Sequence, residues 1–337
     1  MTTIRDVAKH AKVSVATVSR VLNKKGYVSK EAEEAVLQAI KELNYQPSSV
    51  ARSLYHKTSG MIGLLIPDIS NPFFPELARA VEDVASTYGY TVVLCNTDEE
   101  IEKERKYLQA LKQKYVDGVI LTTSFLPYKE YEQLNIPMVA LDRYVNENIP
   151  LVASQNKAGA RLATEHLLEQ GCQFIAHIRG PKGVTPAEDR YEGFKEVVEE
   201  QEVANIVVSA DFHIDEAQKV TKALLETHPT IDGIFASSDV VAAGAMKAAH
   251  MMGKRIPDDL QIVGFDGISL GNMLVPSLTT VEQPIYDLGA VSTRLLIKQI
   301  EKKPLDTYRY EIPTKLVVRE TTKGGENSEN AEHYCCR

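Results

Sequence analysis

The sequence predicts an α/β protein in two parts. The first is a headpiece of three short helices in a helix-turn-helix arrangement, with one further helical run behind it. The second is a pair of lobes, each built on a doubly wound parallel sheet. Three observations carry this prediction. From Ile62 to Phe265, eight short apolar runs alternate with amphipathic helical stretches, the pattern of βαβ units. A further helix and strand follow, more than one small sheet usually holds, so two sheets fit better. Ahead of these runs, apolar residues recur at helical spacing in segments opened by serine, a favoured helix N-cap.

Ile4 to Asn23 reads as two short helices, with Val7, Ala8 and Ala11, then Val18, Val21 and Leu22, placed around the turn Lys12-Val13-Ser14. Ser14 is the expected cap of the second. Gly26-Tyr27-Val28 forms a loop, after which Ser29 caps a third helix running to Leu43, with Ala32, Val36, Ala39, Ile40 and Leu43 on one face. Pro47-Ser48-Ser49 then opens a helix-like run, Val50 to Leu54, too short to be stable in isolation.

The apolar runs are Ile62–Ile66, Val92–Cys95, Gly118–Leu121, Met138–Leu141, Phe174–Ile178, Ile206–Val208, Gly233–Ala236 and Gln261–Phe265. A helix over Asp287–Glu301 and a strand over Lys315–Arg319 close the pattern. From Gly324 the chain is rich in Gly, Glu, Asn and Ser without periodicity, which predicts a disordered tail.

Charge follows the same division. The 337 residues carry a formal net charge of −8, which by itself argues against nucleic acid. Up to Thr58, however, ten Lys and Arg stand against five Asp and Glu, while the remainder carries 28 against 41. A module of +5 precedes one of −13, the distribution expected when only the first approaches phosphates.

Several classes are disfavoured. No apolar stretch approaches the roughly 20 residues that span a bilayer, and Met1-Thr2-Thr3-Ile4-Arg5-Asp6 lacks the apolar core of an export signal. A cytoplasmic protein with no membrane contact is expected. Cys95 and Cys172 lie in apolar segments and read as core thiols, while Cys335 and Cys336 sit in the polar tail without metal-site spacing. There is no Walker motif, Gly-x-Gly-x-x-Gly fingerprint or zinc spacing, so no cofactor or metal is expected. An enzyme would draw on Asp142, Arg143, His166, His177, Asp189 and Arg190, titratable groups in or near the expected cleft. No nucleophile elbow or Ser-His-Asp order accompanies them, and catalysis is not expected.

The run from Ile4-Arg5-Asp6-Val7-Ala8-Lys9 through Val15-Ala16-Thr17-Val18-Ser19-Arg20-Val21-Leu22-Asn23 resembles the headpiece of the LacI/GalR (lactose repressor) family. That resemblance implies a sequence-specific repressor on double-stranded operator DNA. Val15 and Ala16 would make apolar contacts in the major groove and Arg20 would supply a guanine fork. Thr3, Ser14, Thr17, Ser19 and Asn23 would contact phosphate or groove edges. The run Asn44 to Leu54 resembles the family's hinge helix, which enters the minor groove. Leu54 would wedge a central base step, with Ser49, Ala51 and Arg52 as further DNA contacts.

The remainder resembles the periplasmic sugar-binding-protein fold of the family's effector domains. By that resemblance residues 1–46 form the headpiece, 47–58 the hinge helix and linker, 59–323 the effector-binding and dimerisation domain, and 324–337 the tail. Several positions are similar to those that ribose-binding members use. Asn71, Phe73 and Phe74 follow the first strand, and Asp142 and Arg143 end the fourth. Arg190 and Phe212 would come from the second lobe, completed by Asp266 and Gln283. Ser238, in Ser237-Ser238-Asp239, departs from the asparagine those members typically carry.

The implied effector is ribose or a related pentose, held between the lobes of a homodimer and releasing the operator when bound. An alternative is a catabolite regulator using a phosphorylated carrier protein as corepressor, because the helix Tyr286 to Leu296 resembles that subgroup.

Overall fold

In the computed structural model, residues 2–24, 26–46 and 58–325 are described. The chain divides into two units, Met1–Ser59 and Gly60–Arg337.

Three helices form the first unit: α1 (Ile4–His10), α2 (Val15–Asn23) and α3 (Lys30–Glu42). Each begins where a hydroxyl replaces a missing backbone partner. Thr3 and Asp6 form a reciprocal capping box on α1, Ser14 Oγ accepts the Thr17 N–H at 3.1 Å, and Ser29 Oγ accepts the Ala32 N–H at 3.3 Å. Such caps stabilise a helix by about 1 kcal/mol each. Val7, Ala8, Val18, Val36 and Ala39 meet in the shared core. His10 Nε2 pairs with Glu42 Oε2 at 2.6 Å, tying the end of α1 to the end of α3. The run 47–57, with Ser49, Ala51, Arg52 and Leu54, lies outside the described residues, as does the tail 326–337 with Cys335 and Cys336.

The second unit contains two six-stranded sheets, as the fold class predicted. The first sheet comprises β1 (Met61–Ile66), β2 (Thr91–Asn96), β3 (Gly118–Leu121), β4 (Met138–Leu141), β5 (Leu151–Ser154) and β11 (Arg309–Ile312). Its order is β11-β5-β4-β3-β1-β2, parallel throughout. The second comprises β6 (Phe174–Arg179), β7 (Ala204–Ser209), β8 (Gly233–Ala236), β9 (Gln261–Asp266), β10 (Thr279–Glu282) and β12 (Lys315–Val317). Its order is β12-β10-β9-β8-β6-β7, with only β12 antiparallel. All eight apolar runs are strands, and three further strands, β5, β10 and β11, were not anticipated.

Helices α4 (Phe73–Thr87), α5 (Ile101–Gln113), α6 (Tyr128–Glu132) and α12 (Ile285–Ile300) pack on the first sheet. The β1 residues Ile62, Leu64 and Ile66 face Leu77 and Val81 of α4 and Leu288 and Leu296 of α12. Leu65 faces Leu108 and Leu111 of α5 on the other side, the two-residue period of a strand covered on both faces. Helices α7 (Asn156–Glu169), α8 (Thr185–Glu200), α9 (Ile214–Thr227), α10 (Asp239–Met251) and the short α11 (Leu270–Met273) belong to the second lobe. Cys95 and Cys172 are buried thiols, and burial raises them to about 11 and about 12.

The chain passes between lobes three times: after β5 into α7, after β10 into α12, and from β11 to β12. α7 and α8 touch closely at Gly193, where an added Cβ would lie 2.3 Å from the Lys157 carbonyl oxygen. That approach sets the height of α8, and with it Arg190, against the first crossover.

Candidate functional site

The strand C-termini of both lobes face a cavity of about 400 Å³, the position where open α/β sheets bind ligands. From the first lobe, Asn71, Phe73 and Phe74 follow β1, Asp98 and Glu99 follow β2, and Asp142 and Arg143 follow β4. From the second, Arg190 projects from α8, Asp211, Phe212 and His213 follow β7, Asp266 ends β9 and Gln283 follows β10.

Arg190, only 4% exposed, is the centre of the site. Its Nη1 donates to Asp266 Oδ1 at 3.2 Å and to the Ser237 carbonyl at 2.6 Å. Its Nε donates to Asn156 Oδ1 at 2.9 Å, and its guanidinium lies 3.8 Å from the centroid of the Phe265 ring. Partners of this kind offset part of the cost of burying a guanidinium.

The two buried carboxylates face it from opposite lobes. Asp142 Oδ1 accepts the Ser154 N–H at 3.1 Å, and Asp266 Oδ1 accepts Gln283 Nε2 at 2.7 Å. Both backbones are left-handed, with φ 58° at Asp142 and 113° at Asp266, a conformation that turns the chain sharply at a strand end. Burial pushes the Asp142 carboxyl above the usual carboxylate range, against the pull of Arg190. Burial also raises Asp266, to about 6, with Arg190 again opposing and Asp142 adding to the rise. Gln283 Oε1 is buried without a hydrogen-bond partner among the described residues, an acceptor suited to a ligand hydroxyl.

The rest of the lining supplies apolar faces and a second cation. Phe73 and Phe74 meet edge to face with centroids 5.2 Å apart, and Phe73 is also part of the first lobe's core. The Phe212 ring is seated against Gly180, where an added Cβ would lie 2.5 Å from Cζ. Arg143 pairs with Glu99 at 3.1 Å and lies 5.1 Å over Phe125. Stacking faces, buried donors and acceptors, and carboxylates outnumbering guanidinium groups suit a neutral polyol better than an anion.

Nine of the ten sequence-predicted ligand residues line this cavity; Ser238 does not. It is buried, and its Oγ accepts the Val241 N–H at 3.1 Å, capping α10. The expectation that its hydroxyl replaces an asparagine at the ligand is corrected: a Ser directly before a helix finds the orphan N–H groups first. His166 and His177 are also corrected. His177 is sealed between Phe194 and Phe235 rings, donates Nδ1–H to the Phe235 carbonyl at 2.9 Å, and is lowered by burial to about 3. His166 bonds Thr322 Oγ1 at 2.9 Å; neither histidine lines the cavity. Sequence reasoning missed Asp68, Asp98, Glu99, Asp211 and His213; their position just after β1, β2 and β7 was the available signal.

In the first unit, α2 presents Val15, Ala16, Arg20 and Asn23 as an exposed face opposite buried Val18 and Val21. Val15 is an apolar residue that remains 42% exposed. Ser14 and Thr17 hydroxyls lie 2.9 Å apart at the N-terminus of α2, and Asn23 donates to the Ser19 carbonyl at 2.8 Å. Thr3, Ser14, Thr17, Ser19 and Asn23 thus all make local bonds, and the hydroxyls and amide retain capacity for phosphate.

A helix-turn-helix headpiece with an exposed apolar-and-arginine face, ahead of a two-lobed domain with a polar cleft, defines the class of ligand-responsive DNA-binding regulators. Residues 3–48 match the family described as bacterial regulatory proteins, lacI family, and residues 164–322 match the periplasmic binding protein-like domain. The chain belongs to the lacI family. It is 99% identical over 331 residues, 98% of this chain and 100% of the relative, to the ribose operon repressor of Halalkalibacterium halodurans. Two solved structures are similar. The lac repressor dimer bound to operator and an anti-inducer has a TM-score of 0.84 at 28% identity, covering 95% of this chain and 99% of that one. A lacI-family regulator of Enterococcus faecium with bound ribose has a TM-score of 0.72 at 30% identity, covering 78% and 98%. The carrier-protein alternative receives no support from these relatives. Among the described residues, no helix is long and apolar enough to cross a membrane.

Proposed function

We propose that this protein is a cytoplasmic, homodimeric repressor of a ribose-utilisation operon, releasing its operator when ribose binds between the lobes. The observation that carries this is the buried Arg190 set between Asp142 and Asp266 of opposite lobes, in a cavity floored by aromatic rings. Asp142 and Asp266 take hydroxyl hydrogens, Arg190 and Arg143 donate to sugar oxygens, Asn71 and Gln283 complete the polar set, and Phe73, Phe74 and Phe212 cover the apolar faces of the ring. Ser238 is assigned a capping role. The ribose-bound relative supports the choice of sugar, and the operator-bound dimer supports the assembly.

On the DNA side, Val15, Ala16 and Arg20 read the major groove while Thr3, Ser14, Thr17, Ser19 and Asn23 position α2 on the backbone. Leu54, flanked by Ser49, Ala51 and Arg52, wedges the minor groove. Two half-sites follow from a twofold dimer. The test is calorimetric titration of the full-length protein with ribose, xylose, a hexose and ribose 5-phosphate. Tight binding of ribose alone supports the assignment; preference for the phosphate ester contradicts it.

A further inference from the structure

The first crossover between lobes, from β5 into α7, carries an amide that joins the two halves of the site. Asn156 is the first residue of α7 and only 2% exposed, and it is not among the residues lining the cavity. Its Oδ1 accepts Arg190 Nε of the second lobe at 2.9 Å. Its Nδ2 donates to Asp142 Oδ1 of the first lobe at 3.5 Å and to the Ser154 carbonyl at 3.2 Å. One side chain on the segment about which the lobes must turn is thus bonded to the principal cation of one lobe and a buried carboxylate of the other.

The two halves of this bridge differ. The bond to Arg190 is of normal length, whereas 3.5 Å to Asp142 is at the limit of a hydrogen bond, so a few tenths of an ångström there makes or breaks it. Arg190 cannot follow Asp142 freely, because α8 is wedged against α7 at Gly193. A ligand that draws Asp142 and Arg190 towards one set of hydroxyls therefore acts on Asn156, and through it on the crossover.

We infer that Asn156 is the positioning residue that couples sugar binding to rotation of the lobes, without itself touching the sugar. This rests on the proposed sugar-responsive repression. A ligand shifts a two-state protein only through a difference in its interactions with the two states, and the Asp142–Asn156–Arg190 bridge places such a difference at the pivot.

The test compares the full-length wild type with Asn156→Ala and Asn156→Asp. Operator affinity is measured at fixed salt on a duplex selected by the wild type from random DNA, without ribose and at ribose concentrations saturating for each variant, as established by calorimetry. Thermal melts accompany the titrations. The wild type is expected to bind operator about tenfold or more weakly with ribose, within the usual range of allosteric coupling. Asn156→Ala is expected to keep sugar-free operator affinity within about twofold while its ribose response falls below about twofold. Asn156→Asp retains an acceptor for Arg190 but sets a carboxylate against Asp142, and it is expected to lose the response equally. A full response in either variant, with a responsive wild type, overturns the coupling role alone. A loss of sugar-free operator binding in step with the melting temperature shows a structural role and overturns it too. A wild type that ignores ribose removes the underlying repression mechanism and this inference together.

Discussion

Arg190 Nη1 of the second lobe lies 3.2 Å from Asp266 Oδ1, and both side chains are withdrawn from water, at 4% and 7% exposure. Neither charge tolerates that environment alone. Removing one partner of a buried pair typically costs about 3 to 5 kcal/mol, so Arg190→Ala is expected to destabilise the second unit by that order, since Asp142 as well as Asp266 loses its cation. Urea unfolding measures this; a variant as stable as the wild type would show that the carboxylates are neutral without Arg190.

The same pair sets a pH dependence. The Asp266 carboxyl is raised to about 6 by burial, above its usual value near 4 in an unfolded chain. A raised carboxylate binds its proton more tightly when folded, so its contribution is fully present below about pH 4 and is lost as pH rises through about 6. Asp266→Asn abolishes that titration. The stability difference between the two proteins is therefore expected to shift in favour of the variant between about pH 4 and 6, by roughly 2 to 3 kcal/mol. A flat difference across that window contradicts the assignment.

On the headpiece, Arg20→Ala is expected to weaken operator binding by about 1 to 3 kcal/mol and to relax base preference at one position per half-site, as loss of a bidentate guanine contact does. Binding to a panel of operators mutated one base pair at a time reads this out. A uniform loss across the panel would instead make Arg20 a phosphate contact.

Leu54→Ala is expected to reduce specific operator affinity by roughly 10-fold or more while changing non-specific binding little, since an apolar wedge acts only where the DNA is kinked. Titrations on both kinds of duplex at fixed salt decide it. Equal losses on the two would remove the wedge.

Much of the second unit was legible because its central strands are buried on both faces and read as unbroken apolar runs; β3, β4, β8 and β9 are buried at every residue. β10 and β11 escaped for opposite reasons. β11 is a half-exposed edge strand with charged residues. β10 buries Thr279 and Thr280 by bonding them to residues about forty positions away, Thr280 to Asp239 among them, and no local pattern announces such partners. The site divides likewise. Asp142 and Asp266 stand at strand ends, and Arg190 was legible through likeness to ribose-binding members. Asn156 reads as an ordinary helix-start residue, because its partners Asp142 and Arg190 are 14 and 34 positions away. Ser238 misled because likeness to ribose binders outweighed its place directly before α10.

Operator affinity of the full-length protein with and without ribose, on one duplex at fixed salt and pH, tests the central claim most directly. Repression relieved by sugar predicts that saturating ribose weakens operator binding about tenfold or more, with ribose 5-phosphate leaving it unchanged. Operator binding that is tightened by ribose, or indifferent to it, contradicts the account.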